Sequence, residues 1–230
     1  MTAAEKVHPF VNWATIVDLK TGVPSKSAHA NPHTDYNAKN ICPSEIGAKG
    51  INPAAYSPKT KLFYASIDLT CMTFEPAESR YAKGQPWMGA TISISQGLKA
   101  FGGLAAHNPF DNKLAWYSEE KFKVTSGTLA TAGNLVFYNA GNRWFKASDA
   151  ISGKLLWQFQ ISSISVGNPI SFQHKGKQHV ALLSGLNRKL ASCGIIADVT
   201  CQFVDHGIYA SWEFSESIND FGGVLHVFSL

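Results

Sequence analysis

The chain has 230 residues, of which 45% are hydrophobic, 12% aromatic and 16% charged, against about 25% charged residues in an ordinary soluble domain. That length builds one sizeable core, or several small β modules that share one, and the aromatic-rich, charge-poor balance favours packed sheets over solvated helices. The net charge of +4 is spread along the chain with no dense Lys/Arg run, so it gives no footprint for nucleic acid, and no stretch reaches the roughly eighteen apolar residues of a membrane-spanning helix.

In chain order, Met1 to His8 lacks the basic and apolar regions of a signal peptide, so the sequence as written carries no export address. His29 and His33 have the spacing of helical metal ligands, but Pro32 between them favours an extended loop, and residues 29 to 40 read as loop. Ala54 to Ser66 is a hairpin around the turn Ser57-Pro58-Lys59-Thr60. Glu75 to Trp87 reads as loop, and Gly89 to Ser95 as an alternating strand. The clearest stretch is Asn134 to Gln160, three consecutive strands separated by turn signals at Ala140-Gly141-Asn142 and Ser152-Gly153. In the last of these, Leu155, Trp157 and Phe159 alternate with Leu156, Gln158 and Gln160, the pattern of a strand with one drier face. A second hairpin follows from Pro169 to Ser184, turning at Lys175-Gly176. The only helices left room for are short ones near Ser44 or Ala197. The four cysteines, Cys42, Cys71, Cys193 and Cys201, form no Cys-x-x-Cys pair, which argues against zinc. Nucleophile-elbow, phosphate-loop and dinucleotide motifs are also absent from the sequence.

An internal repeat organises these strands. Ala147-Ser-Asp149-Ala-Ile-Ser-Gly153-Lys-Leu-Leu-Trp157 has the form Ala-x-Asp-x-x-x-Gly-x-x-x-Trp, and 41 residues earlier Ala106-His-Asn108-Pro-Phe-Asp-Asn112-Lys-Leu-Ala-Trp116 repeats it with Asn at the Asp and Gly places. Asn suits both places, since it bonds to its own turn backbone and tolerates the left-handed conformation. Val17-Asp18-Leu-Lys-Thr-Gly22 is a weaker copy without the Trp. A unit of about forty residues with three or four strands is the size of a propeller blade. The Asp and Gly are expected to shape the turn between two strands and the Trp to pack between neighbouring blades. Ala106, Trp116, Ala147, Asp149, Gly153 and Trp157 are therefore read as structural. The fold expected is all-β, a partial β-propeller of about four blades, with residues 1–230 as one fragment.

The repeat resembles the tryptophan-docking motif of the pyrroloquinoline-quinone (PQQ) dependent alcohol dehydrogenases, whose eight-bladed propellers carry one such motif in most blades. Phe10-Val-Asn-Trp-Ala, Asn40-Ile-Cys-Pro-Ser, Gly127-Thr-Leu-Ala-Thr-Ala-Gly133, Gly167-Asn-Pro-Ile and Gly222-Gly-Val-Leu-His-Val-Phe-Ser-Leu230 are similar to the methanol dehydrogenase branch. The likeness covers nearly the whole chain and implies its C-terminal part. It further implies that Cys42 and Cys71 are a structural disulfide pair under oxidising conditions. Cys193 and Cys201 match no family position.

Such enzymes oxidise primary alcohols with PQQ held beside Ca²⁺ or a lanthanide, a hard cation polarising the quinone carbonyl and an Asp taking the alcohol proton. The resemblance implies that the metal ligands, the catalytic Asp and the residues that sandwich the quinone belong to the N-terminal half, so that no catalytic or metal-binding residue is assigned in this chain and PQQ and metal are not expected to bind to it alone. Three pocket positions depart from the family pattern: Gly50 stands where Asn or Asp is expected, Thr125 where a Trp precedes the Gly-Thr segment, and Lys189 where Gly-Gly-Trp normally follows. Two functions are consistent with this reading. One is the C-terminal part of an oxidoreductase that needs its other half and passes electrons to cytochrome c; the other is a non-catalytic half-propeller, an interaction module or decayed gene product that associates with itself. The family resemblance implies the periplasm, whereas the leaderless sequence as written implies the cytoplasm.

Overall fold

The computed structural model describes residues 11–18, 20–45, 47–84, 89–95, 102–111, 113–185 and 223–229. Among these residues the structure is β throughout, with one 3-10 turn at Ala28–Ala30. The strands are β1 (Ala14–Val17), β2 (Pro24–Lys26), β3 (Ala38–Ile41), β4 (Ala55–Ser57), β5 (Leu62–Asp68), β6 (Cys71–Pro76), β7 (Ala90–Ser95) and β8 (Gly102–Asn108). They continue with β9 (Lys113–Glu120), β10 (Leu129–Ala130), β11 (Leu135–Ala140), β12 (Trp144–Asp149), β13 (Leu155–Gln160), β14 (Ile170–His174), β15 (Lys177–Ser184) and β16 (Val224–Ser229). The chain divides into two compact units, Met1–Ala48 with Leu69–Leu98, and Lys49–Asp68 with Lys99–Leu230.

In the first unit β1 and β2 form a ribbon whose turn is tied by Asp18, its carboxylate accepting the amides of Lys20 at 2.7 Å and Thr21 at 3.2 Å. A three-stranded sheet in the order β3-β6-β7 packs Ala38, Ile41 and Met72 against Trp13, Phe74 and Ile92. Cys42 and Cys71, both buried, are joined by a disulfide that links the end of β3 to the start of β6, with Cα atoms 4.3 Å apart. The loops read from sequence are shorter here: β3 starts at Ala38 and β6 runs on to Pro76. Lys and Asn in β3 and Glu and Pro at the end of β6 look like loop, but they fall on exposed positions of a half-buried sheet, where polarity costs little.

The second unit holds two four-stranded antiparallel sheets, β4-β5-β8-β9 and β10-β11-β12-β13, and a three-stranded sheet, β14-β15-β16. The hairpins expected at Ser57–Thr60 and Lys175–Gly176 are both present, and Lys175 and Gly176 both have positive φ, 48° and 76°, the twist that a two-residue hairpin turn needs. Among the described residues no helix forms near Ser44, and Ala197 lies outside them. Within the second four-stranded sheet β11 is dry on both faces, whereas β13 is exposed throughout. Val136 and Tyr138 join Tyr64, Leu104 and Ala106 of the first sheet. Phe137, Phe145 and Ala147, alternating with them, join Val180, Leu182 and Phe228 of the third. Alternation along β11 therefore separates two cores rather than core from solvent.

The simple alternation expected in β13 is interrupted. Ala147 lies opposite Trp157 and Ser148 opposite Leu155, so Leu156 is the extra residue of a β-bulge. The first sheet repeats this: Ala106 lies opposite Trp116 and His107 opposite Leu114, leaving Ala115 as the extra residue. In both copies the small first residue of the motif is directly across from its Trp, and the buried methyl groups of Ala106 and Ala147 leave room for the indole.

Candidate functional site

The repeat motif builds the turns and one of the junctions between sheets. Asp149 closes the β12–β13 turn: its Oδ1 accepts the amides of Ser152 at 2.7 Å and Ile151 at 3.1 Å and the Ser152 hydroxyl at 2.8 Å. The Ser152 amide, then its hydroxyl, hold the Asp149 carboxyl below its ordinary pKa. Gly153 ends the turn at φ +73°, and a Cβ there would stand 2.6 Å from the Trp116 ring. Trp116 thus lies flat against the next motif's glycine, and its indole Nε1 donates to the Ala150 carbonyl at 3.1 Å, an acceptor it shares with the Tyr64 hydroxyl at 2.9 Å. Trp157 packs edge-on against Phe228, ring centroids 5.1 Å apart, and stays 38% exposed. Asn112, Lys189, Cys193 and Cys201 lie outside the described residues.

Two loops of this unit carry the pocket positions singled out from sequence. The loop of Lys49 to Pro53 and the segment Val124 to Thr128 meet through Asn52 Nδ2, which donates to the Val124 carbonyl at 3.5 Å, and through the Thr128 amide, which donates to the Pro53 carbonyl at 3.0 Å. Gly50 and Thr125 are thereby brought to the same side of the unit. Lys49 Nζ donates to the carbonyls of Gly50 and Asn52. A Cβ on Gly50 would meet nothing within 4 Å, so close packing is not what calls for glycine here.

Behind these loops lies a polar cluster whose Ser126, Asn139 and Ser165 are buried. Thr125 Oγ1 donates to the Ser165 carbonyl at 2.7 Å and accepts Asn139 Nδ2 at 3.2 Å, while the Asn139 amide donates to Ser126 Oγ at 2.8 Å. The Gly127 amide donates to Asn168 Oδ1 at 3.1 Å, and a side chain on Gly127 would collide with that same amide group. Asn139 is fully buried and its Oδ1 has no hydrogen-bond partner among the described residues. A PQQ site needs donors for several carboxylates, a flat aromatic face and acidic groups for a cation. Here Gly50 offers no side chain, Thr125 offers no ring and its hydroxyl is engaged, and the orphaned Asn139 oxygen is an acceptor. No three of His, Cys, Asp and Glu converge among the described residues. These residues do not by themselves fit the quinone with its cation; what they form is a hydrogen-bonded cluster.

One cluster escaped the sequence reading. Glu120, at the end of β9, accepts the Tyr138 hydroxyl at 2.8 Å and Lys146 Nζ at 2.8 and 2.7 Å on its two oxygens, all nearly buried. It ties the first sheet to the second, and burial, then the Glu120 charge, push the Tyr138 phenol far above its ordinary pKa. A second pair, Lys123 with Asp68 at 2.7 Å, holds the next residues to the end of β5. The only signal in the sequence was a Glu and a Lys at strand positions, which ordinarily face solvent.

Comparison with known proteins agrees with this architecture. Residues 98–180 match the glucose/ethanol/alcohol dehydrogenase β-propeller domain family. The lanthanide-dependent methanol dehydrogenase of Methylorubrum extorquens is 41% identical over 99% of the chain and 39% of its own length. Subunit 1 of the methanol dehydrogenase (cytochrome c) of Methylobacterium organophilum is 35% identical over 100% of the chain and 38% of its own. Among solved structures, a europium-containing methanol dehydrogenase superposes with a TM-score of 0.81 at 33% identity, over 96% of the chain and 40% of that protein. The chain spans about two fifths of the length of the relatives it matches. With docking motifs in successive sheets and these likenesses along nearly its whole length, the chain belongs to the PQQ-dependent alcohol dehydrogenase family, methanol dehydrogenase branch, as a C-terminal part of its β-propeller.

Proposed function

We propose that this chain serves as the C-terminal part of a PQQ-dependent dehydrogenase acting on primary alcohols, and that it supplies blades and a structural rim to an active site whose catalytic base and metal ligands are carried elsewhere in the polypeptide. The observation that carries this reading is identity at 41% over 99% of the chain with a methanol dehydrogenase of which it spans only 39%. The polar cluster of Thr125, Ser126, Asn139 and Asn168 supports it from within, because a rim that spends its own hydrogen bonds internally positions neighbours rather than reacting. In the complete protein PQQ would supply the two-electron chemistry beside Ca²⁺ or a lanthanide. The electron acceptor would be a cytochrome c, as the name of one relative indicates, and the compartment the periplasm, where a disulfide such as Cys42–Cys71 is stable.

Reconstitution tests the proposal. The chain is mixed with the separately produced remainder of the Methylorubrum extorquens relative, PQQ and Ca²⁺ or a lanthanide, and alcohol-dependent dye reduction is followed. Activity above that of the remainder alone is expected; none would leave the second reading, a non-catalytic module. That reading is favoured by the departures at Gly50 and Thr125 and by apolar surface on the third sheet.

A further inference from the structure

The hairpin turns of the second unit close at one end. Within a sheet, antiparallel pairing of β5 with β8 and of β11 with β12 brings the turn β4–β5 to the same end as β8–β9, and β10–β11 to the same end as β12–β13. Between sheets, Lys59 Nζ donates to the Ala132 carbonyl at 3.4 Å, joining the turn β4–β5 to β10–β11, and Trp116, shortly after the turn β8–β9, lies on Gly153 of the turn β12–β13. The third sheet runs the same way: Phe228 lies on Trp157, and its neighbour Ser229 pairs with His179, near the start of β15 and so near the Lys175-Gly176 turn.

This end is basic. Lys59, Lys61, Lys113, Lys154, Lys175 and Lys177 stand in or directly beside these turns, all exposed, and none forms an ion pair among the described residues. The carboxylates among the described residues of the same turns are those of Asp111 and Asp149, and both point back into their own loops, accepting the amides of Lys113 at 3.0 Å and Ser152 at 2.7 Å. The turns themselves do not ask for lysine. Lys61 and Lys175 have positive φ, 57° and 48°, where Gly or Asn is more easily placed, so the charge there comes with a backbone cost.

Apolar tips stand among these lysines. Phe110 and Ile151 are 75% and 62% exposed, and they occupy the same place in the two copies of the repeat, two residues after Asn108 and Asp149. A large apolar side chain left in water at the same point of two neighbouring turns gains little from this chain's own core.

We propose that the turn end of the second unit is a membrane-surface site, with the six lysines at the headgroups of an anionic bilayer and Phe110 and Ile151 entering its interface. Each lysine near an anionic leaflet strengthens attachment by about fivefold, and apolar area sunk into the headgroup boundary adds to it. An acidic protein would answer the charge equally, but the paired apolar tips favour the bilayer. Packed sheets stand about 10 Å apart, so charge and tips recur over a broad face instead of converging on one acidic side chain. The attachment is peripheral, since no described helix is long and apolar enough to cross a membrane, and it does not depend on the function proposed above.

Vesicle flotation tests the site. The full chain is mixed at about 0.1 M salt with vesicles of phosphatidylcholine and phosphatidylglycerol, with vesicles of phosphatidylcholine alone, and separately with soluble polyglutamate. It is expected to float with the anionic vesicles only and to be released at about 1 M salt, where the screening length is roughly 3 Å. The triple variant Lys154→Gln, Lys175→Gln, Lys177→Gln is expected to bind at least tenfold more weakly, and the double variant Phe110→Ser, Ile151→Ser severalfold more weakly. Lys121→Gln, past the far end of β9, is expected to bind as the unsubstituted chain does. All these side chains are exposed, so melting temperatures are expected to stay unchanged. Absence of binding to the anionic vesicles, equal binding to the neutral ones, or equal binding by the triple variant would overturn the site. Undiminished binding by the double variant, or capture of polyglutamate at least as tight as that of vesicles, would make the partner an acidic protein and overturn the choice of a bilayer.

Discussion

The two junctions between sheets in the second unit use the same motif to different effect. At the first, Trp116 lies on Gly153, bonds to Ala150 and is backed by Tyr64 and by the buried group of Glu120, Lys146 and Tyr138. At the second, Trp157 meets Phe228 and Phe159 and remains partly open, and the polar contacts are neutral ones, Ser162 Oγ to His226 Nε2 at 3.5 Å, with Ser184 Oγ meeting the same nitrogen at 3.0 Å within the third sheet. The same Trp in the same register, each after the same bulge and opposite an alanine, is thus locked in one place and loosely held in the other. What differs is the receiving surface: Trp116 has a glycine and the Ala150 carbonyl to lie on, whereas Trp157 meets only aromatic rings, those of Phe145, Phe159 and Phe228, among the ring and hydrogen-bond contacts of the described residues.

This contrast can be broken most directly by truncation. Trp116→Ala is expected to cost about 3 to 5 kcal/mol in equilibrium urea unfolding, and Trp157→Ala about 1 to 2 kcal/mol, because part of its surface is never removed from water. Equal losses would show that the two indoles are equivalent after all. Lys146→Met is expected to cost about 3 to 5 kcal/mol because it strands the buried Glu120 carboxylate, and adding Glu120→Gln should recover most of that loss. If the single variant is neutral, the ion pair does not fasten the first junction.

Reduction of Cys42–Cys71 acts in the other unit and sets the scale against which the junctions are judged. Opening a bridge between residues 29 apart should cost about 3 to 4 kcal/mol, read as a lower denaturation midpoint in dithiothreitol, without changing hydrogen exchange in β11 or β12. The smallest effect concerns pH. Burial lowers the pKa of His226 in the folded chain, so the unfolded chain binds more protons just below the ordinary imidazole pKa of about 6.5. The second junction is therefore at full strength above that pH and weakens as the pH falls towards the lowered folded value. Comparing the melting temperatures of the unsubstituted chain and His226→Phe across pH 5 to 8 checks this: the former should lose more on the acid side.

Much of the second unit was legible because its signals are local. Turns at Ser57–Thr60, Ser152–Gly153 and Lys175–Gly176 declare themselves by residue type, and a repeat at fixed spacing declares a blade. The bulges at Ala115 and Leu156 were not legible, because an inserted residue looks like ordinary alternation until the partner strand fixes the register. Family likeness singled out Thr125 but gave no sign of the cluster around it, Asn139, Ser165 and Asn168, since isolated polar residues carry no pattern until folding gathers them.

The sequence by itself therefore determined the β architecture, the motif residues Ala106, Trp116, Ala147, Asp149, Gly153 and Trp157, and the family, all of which depend on residue type and near-neighbour spacing. Only the tertiary structure decided which tryptophan is locked, that Glu120 and Lys146 are buried together, and that both faces of β11 are core. Those properties depend on contacts between segments far apart in the chain. The free energy of a charge or an apolar side chain is set by what covers it, and sequence position alone does not supply the cover.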